Sequence, residues 1–226
     1  MLRIRKKSYL ESLERAVSPQ TTVIAFDLHN VVFKKQTRKI VLQSLKLLPK
    51  GTWRYTFSPR LWYRFYKIKK STNVAEDIFK KMAIQYPGLQ RFREDFIKLT
   101  NQQRPVRPVM ELIQSLKDQG YNLYVLSNIG KETYVGLCAL YPELNDYFDG
   151  AFTALAENDY LQKPYPEFYR GFQHFVGKEG HGDKQILFVD DLKKNLIAAA
   201  QCDIAGIHFT SAKNLVRAFK KLEILK

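Results

Sequence analysis

The chain reads as an α/β protein: a doubly wound parallel sheet, Rossmann-like in its core, with an inserted helical cap. Three observations predict this. Apolar runs ending in polar residues recur along the chain, amphipathic helical stretches separate them, and one long stretch breaks the alternation. Repeated strand–helix–strand units with right-handed crossovers build a parallel sheet and gather the polar strand ends in one crevice. At 226 residues the chain can bury such a core and still carry a smaller insertion.

The opening MLRIRKKSYLESLERAV is basic but lacks the continuous apolar stretch of a secretory signal, and a short amphipathic helix fits there. TTVIAF, residues 21–26, is β-branched and apolar on both faces, as a central strand covered by helices must be. It delivers the carboxylate of Asp27 to its end. PVMELIQSLKDQG follows as a helix with Val109, Leu112, Ile113 and Leu116 on one face and Gly120 as terminator. YNLYVLS is the second strand, ending at Ser127; QILFVDD is the third, ending in Asp190 and Asp191; AGIHFT is the fourth. Helices are predicted over 131–140, 166–175, 194–201 and 212–222.

From 34 to 104 no strand-like run is evident. IVLQSLKLL, PRLWYRFYKIKK, NVAEDIFKKMAIQY and LQRFREDFIKL read as helices, punctuated by Pro49, Gly51, Pro59, Pro87 and Gly88. The expected organisation is therefore a core of residues 1–33 and 105–226 with a helical insertion, 34–104, over the crevice.

Charge is concentrated in that insertion. The formal net charge is +15, and between residues 34 and 81 fourteen Lys or Arg face two acids, Glu76 and Asp77. Seven aromatics, Trp53, Tyr55, Phe57, Trp62, Tyr63, Phe65 and Tyr66, interleave with the cations. On a helix, Arg60, Arg64 and Lys67 line one face and Leu61, Phe65 and Ile68 another. Such a field favours an anionic partner: a small phosphorylated substrate, with nucleic acid or an acidic membrane surface as alternatives. A charged cap over the crevice points to substrates with more than one negative group, such as nucleotides or sugar phosphates. Cys138 and Cys202 have no metal-like spacing and read as reduced thiols of a cytoplasmic protein, and His174, His181 and His208 have no metal-like spacing either.

Taken together, FDLHNVVF, LYVLSNIG, LQKPYPEFY and FVDDLKKN resemble the four ordered motifs of the haloacid dehalogenase-like hydrolase superfamily, across about residues 23–210. The insertion after the first motif resembles the family's small helical cap. The resemblance implies a phosphatase in which Asp27 is the nucleophile and forms an aspartyl-phosphate that water hydrolyses. It implies Mg²⁺ held by Asp27, the backbone carbonyl of His29, Asp190 and Asp191, an oxygen-only set suited to that ion. Which of the two adjacent aspartates binds directly stays open. Ser127 and the backbone amide of Asn128 would bind phosphate, Lys163 would supply a fixed positive charge, and Asn195 would steady Lys163 or the acidic loop.

One position departs from the pattern. The family's phosphatases usually carry an aspartate two residues after the nucleophile, as proton donor and then as base, and this chain carries His29. An imidazole can do both jobs near neutrality. If it does not, the chain is a catalytically impaired relative that binds an anionic partner through its basic cap.

Overall fold

Thr22–Phe26 form β1, with all five residues buried. The computed structural model describes residues 13–36, 39 and 58–225. Further core strands are β4 (Asn122–Gly130), β5 (Gly150–Ala154), β6 (Gln185–Asp190) and β7 (Ala205–His208). They make one sheet in the order β5-β4-β1-β6-β7, with every pairing parallel. The chain builds outward from β1 to β5 on one side, then returns to build β6 and β7 on the other. The switch between β1 and β6 opens the crevice in which α/β sheets hold ligands, at the carboxyl ends of the strands.

Alternation along the strands explains the two helical layers. Ile24, Phe26, Leu123, Val125, Leu187 and Val189 point to one face. There they meet α4 (Arg107–Asp118), α5 (Lys131–Leu140), the short α6 (Leu144–Tyr147) and α9 (Ala212–Lys221). Val23, Ala25, Tyr124, Leu126, Ile186 and Phe188 point to the other, against α7 (Pro166–Val176) and α8 (Lys193–Ala200). Each Leu, Ile, Val or Phe so buried contributes about 1.5–3 kcal/mol. Helix α4 ends as its sequence predicts: Gly120 has φ 85°, its N–H donates to the Lys117 carbonyl, and the Tyr121 N–H donates to Leu116. This paired closure needs a left-handed residue, which glycine supplies without a Cβ clash.

Two expectations are corrected. The sheet has a fifth strand, β5, which the sequence reading passed over because GAFTA is short and is only half-buried over its first three residues. Strand is also present at the ends of the helical segment, where β2 (Phe33–Lys35) pairs antiparallel with β3 (Gln103–Pro105), Lys34 opposite Arg104. Runs of three residues rich in Lys, Arg and Gln carry too little period to be read as strands. The helix expected within IVLQSLKLL lies outside the described residues, as does most of the basic opening. Among the described residues no helix is long and apolar enough to cross a membrane.

Between the ribbon strands lie α1 (Pro59–Ser71), α2 (Ala75–Gln85), a 3₁₀ turn at Pro87–Phe92 and α3 (Arg93–Thr100). The single helix expected over LQRFREDFIKL is thus split at Arg93. Ser58 caps α1 by accepting from the Leu61 N–H, and Leu61, Phe65 and Ile68 pack against Ile78 and Met82 of α2. The rings of Phe79 and Phe96 join α2 to α3 at 4.9 Å.

The helical segment is tied to the core at two places. Asn73 N–H donates to Gln162 Oε1 (2.9 Å), while Gln162 Nε2 donates to Thr72 Oγ1 (3.1 Å). On the other side Glu76 Oε1 accepts from the N–H (3.0 Å) and hydroxyl (2.6 Å) of Thr133. Helix α5 has Gly130 as its N-cap and no cap bond of its own, so this carboxylate from α2 satisfies an otherwise open amide and complements the helix dipole. The close approach requires glycine: a Cβ on Gly130 would lie 2.2 Å from Glu76 Cδ. Gly130→Ala is therefore expected to displace the carboxylate and cost about 1–3 kcal/mol in urea unfolding, the loss of a buried charged hydrogen-bond pair. An unchanged midpoint and slope would show that Glu76 is not anchored as described.

Candidate active site

Strand β1 ends at Phe26, and the Asp27 N–H continues the ladder by donating to the Val189 carbonyl (2.9 Å). Asp27 is thereby fixed at the mouth of the crevice, with 6 % of its surface exposed. The chain then folds back sharply. Asn30 takes a left-handed conformation, φ 62°, and its backbone N–H donates to the Phe33 carbonyl (2.7 Å). Asparagine adopts that region more readily than most residues, which accounts for its place here.

Three donors converge on one oxygen of Asp27. Oδ1 accepts from Ser127 Oγ at 2.7 Å and from the Leu28 N–H at 2.9 Å, and lies 3.1 Å from Lys163 Nζ. Among the described residues Oδ2 has no hydrogen-bond partner. Fixing one carboxylate oxygen while leaving the other open holds the group in one orientation toward an incoming atom.

Lys163, 1 % exposed, stands between two carboxylates. Its ammonium also meets Asp190 Oδ2 at 2.7 Å and the Leu126 carbonyl at 2.9 Å, above the Phe188 ring. Burial alone would lower this group, but Asp27 and Asp190 outweigh it and hold the ammonium above its ordinary value. Asn128 positions the lysine backbone by a two-point contact: its Nδ2 donates to the Lys163 carbonyl (3.0 Å) and its Oδ1 accepts from the Lys163 N–H (2.7 Å).

Asp190 is fully buried, and its oxygens accept from Lys163, the Leu192 N–H and both reaches of Asn195 Nδ2 at 3.0 Å. Asn195 thus steadies the acidic loop directly; Tyr169 supports it in turn, donating its hydroxyl to the Asn195 carbonyl at 2.8 Å. Asp191 is half-buried and accepts from Asn30 Nδ2 at 3.0 Å. Partial burial raises its carboxyl, opposed by the Asn30 bond and reinforced by the charge of Asp190. Carboxylate oxygens of Asp27, Asp190 and Asp191 lie within 4.8 Å of one another. Such an oxygen-only cluster fits a hard divalent cation.

His29 follows on the same loop. Although part of the residue stays exposed, Nε2 is enclosed and has no hydrogen-bond partner among the described residues. Desolvation, with Lys35 and Lys163 adding to it, lowers the imidazole to about 3, so the ring is neutral near pH 7.

A profile of haloacid dehalogenase-like hydrolases matches residues 21–203. The chain belongs to this family. The sesquiterpene phosphatase astK of Aspergillus oryzae is 28 % identical over 189 residues, 83 % of this chain and 89 % of the relative. A haloacid dehalogenase family enzyme from Bacteroides thetaiotaomicron, in complex with magnesium and inorganic phosphate, has the same fold at TM-score 0.59 and 16 % identity, over 88 % of this chain and 99 % of that one. L-2-haloacid dehalogenase from Xanthobacter autotrophicus, with chloropropionic acid covalently bound, superposes at TM-score 0.56 and 17 % identity, over 90 % and 84 %.

All the residues singled out by the family resemblance gather in one crevice of this haloacid dehalogenase-like hydrolase. Two others were missed. Asn30 was readable only as an asparagine in a post-strand loop, and its reach to Asp191 spans 161 positions. Glu76 looked like an ordinary acid in the first turn of a helix, whereas it is 6 % exposed and engaged with α5. The basic face of α1 is exposed as expected at Arg60, Arg64 and Lys67, and the last two lie over the rings of Tyr86 and Tyr63.

Proposed function

We propose that the protein is a Mg²⁺-dependent phosphomonoester hydrolase of small phosphorylated metabolites, acting through an aspartyl-phosphate on Asp27. The observation that carries this reading is the asymmetry of Asp27: Oδ1 is held by Ser127, Leu28 and Lys163, while Oδ2 is left without a partner among the described residues. In the reaction, Oδ2 bonds to phosphorus as the ester oxygen departs and takes a proton. Water then attacks phosphorus, releasing phosphate and restoring the carboxylate. Lys163 remains positively charged throughout, beside both the nucleophile and the transferring group. Ser127, its hydroxyl turning from Asp27, and the backbone N–H of Asn128 would bind the phosphoryl oxygens. The phosphatase relative supports the same reading.

Magnesium would be held by Asp27, the His29 carbonyl and Asp191, with Asp190 acting through water because its oxygens are already engaged by Lys163, Asn195 and Leu192. When bound it supplies positive charge that offsets repulsion between carboxylate and phosphate. We take residues 34–104 as the cap and residues 1–33 and 105–226 as the core, a division consistent with Lys34 and Arg104 facing each other in the ribbon. The test is release of phosphate from an aryl phosphate with Mg²⁺; failure to turn over any phosphorylated compound with any divalent cation overturns the reading.

Proton transfer to the leaving oxygen is assigned to His29; burial, Lys35 and Lys163 keep the ring neutral in the free site, so the role requires that the negative charge of a bound phosphate load it with a proton first. His29→Ala is expected to lower kcat by about 10²-fold or more on an alkyl phosphate, the usual range for a general acid. On p-nitrophenyl phosphate, whose leaving group needs no proton, the loss should be small. Equal rates for wild type and variant on the alkyl ester would exclude the role.

A further inference from the structure

We infer that the site takes the monophosphate of an apolar alcohol, whose hydrocarbon chain lies in a cavity between the helical segment and α5. This rests on the phosphomonoesterase reading above and names its substrate class. The cavity measures about 260 Å³ and takes its lining from α2, α3, the end of β4 and the start of α5. At its catalytic end stand His29, two residues beyond the nucleophile, and Asn128, next to the serine bonded to Asp27. Ala75, Phe96, Leu99 and Ile129 supply the apolar part of the wall, and Asn73, Thr100 and Thr133 also line it.

Charge in the described part of the lining disfavours the polyanions that the basic composition suggested. Among the described lining residues Lys35 is the one cation, beside His29 at the catalytic end. Glu76 also lines the cavity; its Oε1 is engaged by Thr133, and its Oε2 is buried with no partner among the described residues. A second phosphate or a nucleotide would set its negative charge against that buried carboxylate in a low-dielectric space, which is strongly unfavourable. The cations on the exposed face of α1, Arg60, Arg64 and Lys67, do not line the cavity. An uncharged chain meets no such penalty and covers Phe96, Leu99 and Ile129. At about 30 Å³ for each water-sized group, the space admits a chain of roughly eight to ten carbons.

The test separates this inference from the reading it rests on. Dissociation constants of alkylphosphonates from ethyl to dodecyl, which cannot be hydrolysed, are measured by calorimetry with Mg²⁺ present. In parallel, p-nitrophenyl phosphate turnover is followed. Affinity is expected to rise up to about fourfold per methylene, the ~0.8 kcal/mol transfer value converted at 25 °C, and to level off near ten carbons. Leu99→Asn should flatten the dependence on chain length while p-nitrophenyl phosphate turnover persists; Phe96→Leu, a milder change, should shift the levelling point without loss of the fold. Turnover of the aryl ester with no dependence of affinity on chain length overturns the inference and leaves the hydrolase. Affinity that rises with chain length, with no turnover of any phosphate ester, leaves the cavity assignment and removes the hydrolase. Tighter binding of adenosine monophosphate or glucose 6-phosphate than of decylphosphonate also overturns it.

Discussion

Asp27→Asn is expected to abolish phosphate release, lowering kcat by about 10⁴-fold or more, as removal of a nucleophile does when the remaining machinery is intact. The substitution is nearly isosteric, and Oδ1 can still accept from Ser127 and from the Leu28 N–H. What disappears is the negative charge and with it the ability of Oδ2 to displace the ester oxygen. Wild-type protein quenched during turnover of a labelled substrate should carry phosphate in a linkage cleaved by hydroxylamine, as an acyl phosphate is, and the variant should carry none. Retention of more than about a hundredth of the wild-type rate would mean that another group attacks phosphorus, and the role of Asp27 would have to be withdrawn.

Lys163→Met is expected to damage stability and rate together. The methionine stem fills most of the same volume, so the change isolates the charge. Without the ammonium, Asp27 and Asp190 face each other across a space that water scarcely enters, with Asp190 fully buried and Lys163 now 1 % exposed. Breaking a buried ion pair from one side costs about 3–5 kcal/mol because the partner charge is left uncompensated. Urea unfolding should show that loss as a lower midpoint with an unchanged slope. Turnover should fall by on the order of 10²–10³-fold through loss of a fixed charge beside the transferring group. A stability change below about 1 kcal/mol would show that the two carboxylates do not depend on the lysine as the geometry implies.

Much of this architecture was legible because it follows local period and punctuation. β1, β6 and the helix 107–118 have clear apolar patterns, and Gly120 marks the helix end in the way its φ of 85° requires. The candidate site was legible for another reason: carboxylates, serine and lysine sit at strand ends or just beyond, in the order of known motifs. What escaped depends on distant partners. The β2–β3 ribbon is held by pairing between residues about seventy positions apart and by nothing in either tripeptide alone. Glu76 is informative only once Gly130 and Thr133 are seen beside it. The cavity, too, qualifies the impression of composition: among the described residues Arg60, Arg64 and Lys67 of the basic segment are exposed, while Phe96 and Leu99 line the space that His29, Lys35 and Asn128 also border.

Gln162 and Lys163 are consecutive, yet they answer to different parts of the molecule: the first to Thr72 and Asn73, the second to Asp27 and Asp190. Successive Cα atoms are about 3.8 Å apart across a peptide unit, so there is no slack chain between the two anchorages. A displacement of the helices by more than a fraction of that span must either release Gln162 or drag the ammonium off its carboxylates. The peptide joining them is therefore a mechanical link between the helical segment and the buried charges; in the proposed hydrolase it would carry the fit of a ligand's outer portion to the charge beside the transferring phosphoryl group.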